Sequence, residues 1–210
     1  MQTVIKQTSR VSLLLLALFV GLVAVACIEP EPVNGNRLLL VGDSLMNQSR
    51  AQVLDAVSQD GWDPKIEAEG GTTIVQWADR FPLLDFADQP DMIVIELGTN
   101  DCGLGGCPDL TPYIDKIMKY TTSATEVLWL NTNEDASENP LIGNLEYVNN
   151  EIEDACSRYP KLFLADMNSE FEGRKDLHVP DGIHWNDQGK EAFASFIRDQ
   201  LEPFRPTGSG

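Results

Sequence analysis

Apolar and polar positions fall into alternating blocks along this chain. Arg37–Val41 is a short, nearly continuous apolar run, repeated at Met92–Leu97, Val127–Leu130 and Leu162–Leu164, with Lys65–Ala68 a weaker version. Short apolar runs bounded by turn formers suit strands buried on both faces. Between them, apolar residues recur at helical spacing. Met46, Val53, Leu54 and Val57 predict a helix over Leu45–Gln59, ended by Gly61. Thr72–Phe81 reads as a helix closed by Pro82, and Pro112–Thr121 carries Ile114, Ile117 and Met118 on one face. Leu141–Tyr159 is a longer helix with the stripe Ile152, Ala155, Cys156 and Tyr159, and Phe193, Phe196, Ile197 and Leu201 mark a C-terminal helix. Five strands alternating with five helices predict the α/β class: a three-layer α/β/α sandwich with a five-stranded parallel sheet of flavodoxin-like order. Ligands in such sheets sit beyond the carboxyl ends of the strands, so the residues following each strand are where chemistry is expected.

The first residues read differently. Lys6 and Arg10 precede an apolar run from Val11 to Ala26, and Ala24-Val25-Ala26 is a small-residue cleavage site. The run is about 16 residues, short of the roughly 20 needed to span a bilayer. Residues 1–26 are therefore expected to be a signal peptide, the alternative being an uncleaved N-terminal anchor. Cys27 follows directly, and Leu22–Cys27 resembles a bacterial lipoprotein signal in which the Cys is lipidated; simple secretion is the alternative. Residues 27–36, rich in Pro and Gly without apolar period, read as the lipidated Cys and a tether. Residues 37–203 form one domain, and 204–210 a disordered tail.

The formal net charge is −18, and the first 26 residues hold two basic groups and no acid, so the remainder is more acidic by two charges. Such a surface repels phosphate backbones and anionic headgroups, which argues against a nucleic-acid partner and leaves the N-terminal lipid as the only expected membrane contact. Cys102 and Cys107 flank the flexible Gly103-Leu104-Gly105-Gly106 and are expected to form a disulfide in an oxidising compartment. Cys156 is expected to be a buried free thiol. Two His and no Cys-x-x-Cys pair make no metal-ligand set, and no cofactor is implied.

The strand ends carry the candidate chemistry. Gly42-Asp43-Ser44-Leu45 places a hydroxyl at the start of a helix, where a Ser serves as an N-cap but also lies among free backbone N–H groups. Glu69-Gly70-Gly71-Thr72 is either a plain turn or a bare N–H donor. Gly98-Thr99-Asn100-Asp101 offers a side-chain amide, with an Asx-turn as the alternative, and Asp101 reads as a brace for its loop. Asp181-Gly182-Ile183-His184 sets an acid and an imidazole three apart, so that Asp181 can hold one ring N–H and leave the other nitrogen to take a proton from Ser44. His178 lacks this spacing and reads as a surface or loop residue.

On these residues the chain resembles the SGNH/GDSL hydrolases. Gly42–Leu45 is similar to the first block of that family, Gly71 (or Gly70) to the second-block glycine, Gly98–Asp101 to the third block and Asp181-x-x-His184 to the fifth, over residues 37–201. The resemblance implies Ser44 as nucleophile, His184 as base and Asp181 as its orienting acid. It implies an oxyanion hole from the N–H groups of Ser44 and Gly71 and the side chain of Asn100. The Asn usual before the second-block glycine is absent; Glu67, Ala68 and Glu69 stand there. The Gly-x-Ser-x-Gly elbow of α/β-hydrolases is missing, and Gly103-x-Gly105 has Pro108 where a dinucleotide site needs its third Gly.

The expected activity is ester hydrolysis through an acyl-enzyme on Ser44, directed at short acyl (acetyl) groups on carbohydrate or cell-envelope esters, and rising with pH as His184 loses its proton. Alternatives are an O-acyltransferase using the same triad, a lysophospholipase or thioesterase, and a non-catalytic glycan-binding surface module.

Overall fold

A computed structural model describes residues 29–84, 89–121 and 126–206. Five strands, β1 (Arg37–Gly42), β2 (Asp63–Ala68), β3 (Met92–Glu96), β4 (Glu126–Leu130) and β5 (Leu162–Ala165), pair in the order β2-β1-β3-β4-β5, every pair parallel. Seven α-helices accompany them among the described residues: α1 (Ser44–Gln48), α2 (Arg50–Ser58), α3 (Ile74–Arg80), α4 (Thr111–Lys119), α5 (Leu145–Arg158), α6 (Met167–Phe171) and α7 (Asp187–Gln200).

The period of two along each strand decides which layer a side chain enters. Leu38, Leu40, Met92, Val94, Leu128 and Leu130 face one way, onto Met46 of α1, Val53 and Val57 of α2, and Phe193 and Ile197 of α7. Leu39, Val41, Ile93, Ile95, Val127 and Trp129 face the other, onto Ile74 and Trp77 of α3, Ile114 and Ile117 of α4, and Val148 and Ile152 of α5. The three layers and the flavodoxin-like strand order are those expected from the sequence.

Several boundaries differ from the sequence reading. The helix expected over Leu45–Gln59 is two, divided at the buried Ser49. Met46 and Val53 are two turns apart, so their spacing is the same with or without the break. Leu141–Asn144 is loop rather than helix: the Asn144 side chain accepts from the Tyr147 N–H, and this cap fixes the start of α5. Helix α6 was not expected, because five residues are too few to display a period.

The packed structure also extends past both expected domain limits. Val33 and Phe204 are buried, and the Val33 N–H donates to the Phe204 carbonyl at 3.2 Å. Arg205 pairs with Asp60 at 2.8 Å. Single apolar residues among prolines carry no period, so neither Val33 nor Phe204 registers as core in the sequence. The signal segment, Cys27 and residues 207–210 lie outside the described residues. Among the described residues no helix is long and apolar enough to cross a membrane.

Cys102 and Cys107 form the expected disulfide, with their Cα atoms 4.2 Å apart. Cys156 is a free thiol, half-buried rather than buried, and desolvation raises its pKa to about 11.

Candidate active site

The carboxyl ends of β1, β2 and β3 converge with the loop before α7. Gly42 ends β1 where the chain must pass close to its neighbours: a methyl there would run into Met46 and lie 3.0 Å from Glu96 Oε2. The turn delivers Ser44 as the first residue of α1. Asp43 caps that helix, its Oδ1 accepting the Leu45 N–H at 2.9 Å. Glu96 Oε2 accepts the Met46 N–H at 3.1 Å and the Asp43 N–H at 3.3 Å. The Asn47 N–H bonds back to the Asp43 carbonyl. The donors around the turn are thus consumed, except that of Ser44, which has no acceptor among the described residues.

The loop before α7 is held from several sides. The N–H of Val179 donates to the His184 carbonyl at 2.9 Å, and His178 and Trp185 form an isolated antiparallel bridge. Asn186 caps α7 through Gly189 and also donates to the carbonyls of Asp176 and His178. His178 lies in this loop, as expected, and is half-buried there: its ring lies 4.4 Å from that of Trp185, and its Nδ1 is 3.2 Å from the Ile183 carbonyl. Burial lowers its pKa, which keeps it a neutral brace.

These supports aim the two expected partners at Ser44. Asp181 Oδ1 accepts the N–H groups of Ile183 and His184, at 2.9 and 3.0 Å. Its Oδ2 is 2.7 Å from His184 Nδ1, and His184 Nε2 is 3.1 Å from Ser44 Oγ. Partial burial pushes the Asp181 carboxyl up. The hydrogen bonds from His184 and the two backbone N–H groups outweigh it and hold the acid below the usual carboxylate range. Asn139 adds a bond to the Asp181 carbonyl at 3.0 Å.

The third and second motifs meet at Asn100. Its Nδ2 donates to Asp43 Oδ2 at 2.8 Å and to the Thr72 carbonyl at 3.1 Å. Asp101 braces as expected, its Oδ2 accepting the Ile74 N–H at the start of α3. Thr72 Oγ1 donates to the Glu69 carbonyl and accepts from Trp77 Nε1 at 2.9 Å, which locks the Glu69–Thr72 turn without the Asn usual there. Of the two glycines, Gly70 backs onto the nucleophile turn: a Cβ on it would lie 3.7 Å from that of Ser44. Gly71, at φ +74, would meet nothing within 4 Å.

Three buried acids lie behind this surface. Burial raises Asp43 to about 6, with the Leu45 N–H, the Glu96 hydrogen bond and the charge of His184 working downward. Burial raises Asp101 to about 7. Glu96 is driven well above the ordinary range by burial and then by the charge of Asp43. The sequence reading missed Glu96, although a lone carboxylate closing Met92-Ile93-Val94-Ile95 was a signal: buried acids require a partner. Beside Asp181 opens a cleft of about 550 Å³ with a mixed lining, Asp135, Glu138, Asn139 and Lys175 facing Pro140 and Val179.

No curated protein matches the chain. Solved structures share its fold. A lipase/acylhydrolase from Enterococcus faecalis superposes with a TM-score of 0.66 at 16% identity, covering 83% of this chain and 100% of that one. The C-terminal catalytic domain of peptidoglycan O-acetyltransferase A from Streptococcus pneumoniae gives 0.65 at 16%, covering 81% and 94%. An acetyl xylan esterase from Geobacillus stearothermophilus gives 0.66 at 13%, covering 85% and 99%. Residues 40–192 match the GDSL-like Lipase/Acylhydrolase family, a span that holds every motif assembled above. The chain belongs to that family and is an SGNH-type ester hydrolase.

Proposed function

We propose that the protein hydrolyses esters through an acyl-enzyme on Ser44, releasing short acyl groups from carbohydrate or cell-envelope esters. The observation that carries the mechanism is the continuous line from Asp181 Oδ2 to His184 Nδ1 at 2.7 Å, and from His184 Nε2 to Ser44 Oγ at 3.1 Å. In this reading His184 takes the Ser44 proton as Oγ attacks the ester carbonyl, and Asp181 fixes the ring and stabilises the imidazolium. His184 then returns the proton to the leaving alcohol, and water repeats the sequence on the acyl-enzyme.

The oxyanion would be met by the Ser44 N–H, a glycine N–H and the Asn100 amide. The geometry supports Gly70 over the Gly71 favoured from sequence, since Gly70 lies against Ser44. The Asn100 N–H resting on the Thr72 carbonyl is the one to turn to the oxyanion, while its partner stays on Asp43 and keeps the amide aimed.

The cleft beside Asp181 carries Asp135, Glu138, Asn139 and Lys175, whose side chains can hydrogen-bond a sugar. Among proteins of similar fold are an acetyl xylan esterase and a peptidoglycan O-acetyltransferase, which supports short acyl groups on glycans and keeps acyl transfer as a second reading. Export, with lipid attachment at Cys27, is part of the proposal and is supported by the Cys102–Cys107 disulfide, a bond of oxidising compartments. Labelled palmitate entering the parent but not Cys27→Ser would support the attachment.

The test of the chemistry is turnover of acetyl, butyryl and octanoyl p-nitrophenyl esters by the parent and by Ser44→Ala. Turnover falling with chain length and absent from the variant is expected. Equal turnover in both would remove Ser44 from its role. Acetylated product appearing on an added sugar alcohol would favour transfer over hydrolysis.

A further inference from the structure

The Ser44 turn is bracketed by two buried carboxyl groups. Asp43 spends Oδ1 on the Leu45 N–H and Oδ2 on the Asn100 amide, so both its oxygens are acceptors. Glu96 spends one oxygen, Oε2, on the N–H groups of Asp43 and Met46, the residues on either side of Ser44 and Leu45. Both side chains are essentially without solvent contact. Two ionised carboxylates buried around one turn repel each other, which favours a proton on one of them. Each Asp43 oxygen already accepts an N–H group, whereas both N–H groups on Glu96 go to Oε2, so Glu96 is the better place for the proton.

We propose that Glu96 is a positioning residue for Ser44 and Asn100, acting as a neutral acid. It donates its proton to the Asp43 carboxylate and accepts the N–H groups that set the nucleophile turn. Through Asp43 the same proton fixes the Asn100 amide. A neutral carboxylic acid suits this place because it can give one hydrogen bond and receive others, which a carboxylate cannot. Its raised pKa, from burial and the Asp43 charge, agrees with this role. The other charges facing the pair are His184, which acts on Asp43, and Asp101, which Asp43 raises. At high pH, loss of the Glu96 proton would put a second negative charge against Asp43 and unsettle the turn, so the parent should lose activity on its alkaline side.

The proposal rests on the Ser44 reading and is tested by comparing Glu96→Gln, Glu96→Ala and Ser44→Ala with the parent from pH 6 to 9.5 on an acetyl ester. A Gln reproduces both roles without a proton to lose. Glu96→Gln is expected to keep kcat within about threefold at neutral pH and to flatten the alkaline fall. Glu96→Ala is expected to lose about 10–100-fold in kcat with KM nearly unchanged, since donors needed in the transition state are misplaced. A Glu96→Ala with parental kcat, a Glu96→Gln as slow as Glu96→Ala, or superimposable pH profiles of parent and Glu96→Gln would each overturn it. If Glu96→Ala does not fold, the Glu96→Gln profile decides. An inert parent removes the Ser44 reading and this one together. An active parent with an inert Ser44→Ala leaves Glu96 alone under test.

Discussion

Asn100 donates to the carboxylate of Asp43 at 2.8 Å, and that carboxylate is at the same time the cap of the helix that begins with Ser44. One side chain therefore ties the nucleophile turn to the amide expected at the oxyanion. Asp43→Asn leaves a single oxygen for two donors, Leu45 N–H and Asn100, and one must face an NH2 group instead. The expected result is a fall in kcat of about 10–100-fold with a smaller change in KM, read from steady-state ester hydrolysis.

The two glycines after β2 should separate cleanly. Gly70→Ala keeps an ordinary backbone but adds a methyl 3.7 Å from Ser44 Cβ. It should melt near the parent and lose about 10²-fold in kcat/KM, because the methyl occupies the approach to the nucleophile. Gly71→Ala points into open space from φ +74 and should cost about 1–2 kcal/mol of stability while turnover stays close to parental. The reverse pattern would return the donor role to Gly71.

The buried acids make stability depend on pH in a definite direction. The folded protein holds the Asp101 proton up to about pH 7, against 3.8 for an ordinary Asp. Between those values folding takes up a proton, so stability falls as pH rises through the window and is restored on acidification. The effect is up to about 4 kcal/mol, and Asp43 adds to it in the same sense. Asp101→Asn keeps an oxygen for the Ile74 N–H and removes the titration. Its melting temperature should vary less between pH 5 and 8 than that of the parent, and should exceed it at pH 8. An unchanged slope in scanning fluorimetry would count against Asp101.

The disulfide closes the segment that follows Asn100 and Asp101 directly. Closing so short a loop is worth about 2 kcal/mol. Replacing both Cys102 and Cys107 by Ser should therefore lower the melting temperature by about 4–8 °C in a domain of this size. Treatment of the parent with dithiothreitol should reproduce the shift, and leave the double variant unchanged.

The layers of the fold were legible because each strand is buried on both faces, so its apolar run needs no partner to be recognised. Ser44, Asn100, Asp181 and His184 were legible because each follows a strand or precedes a helix within a distinctive short motif. What escaped depended on contacts across the chain. Glu96, at the end of β3, accepts from Asp43 and Met46 in the turn after β1, and His178 packs its ring against Trp185, neither of which leaves a local pattern. Gly70 and Gly71 are alike by spacing, and only the fold shows that Gly70 faces Ser44 while Gly71 faces open space.

The bond between Val33 and Phe204 has a consequence for orientation. It lies ahead of Arg37, at the amino end of β1, whereas Ser44 follows the carboxyl end of the same strand. Six strand residues, about 20 Å, separate the two poles. Any chain leading away before Val33 departs from the pole that Ser44 does not occupy. A chain held by a point ahead of Val33 would turn Ser44 away from that point.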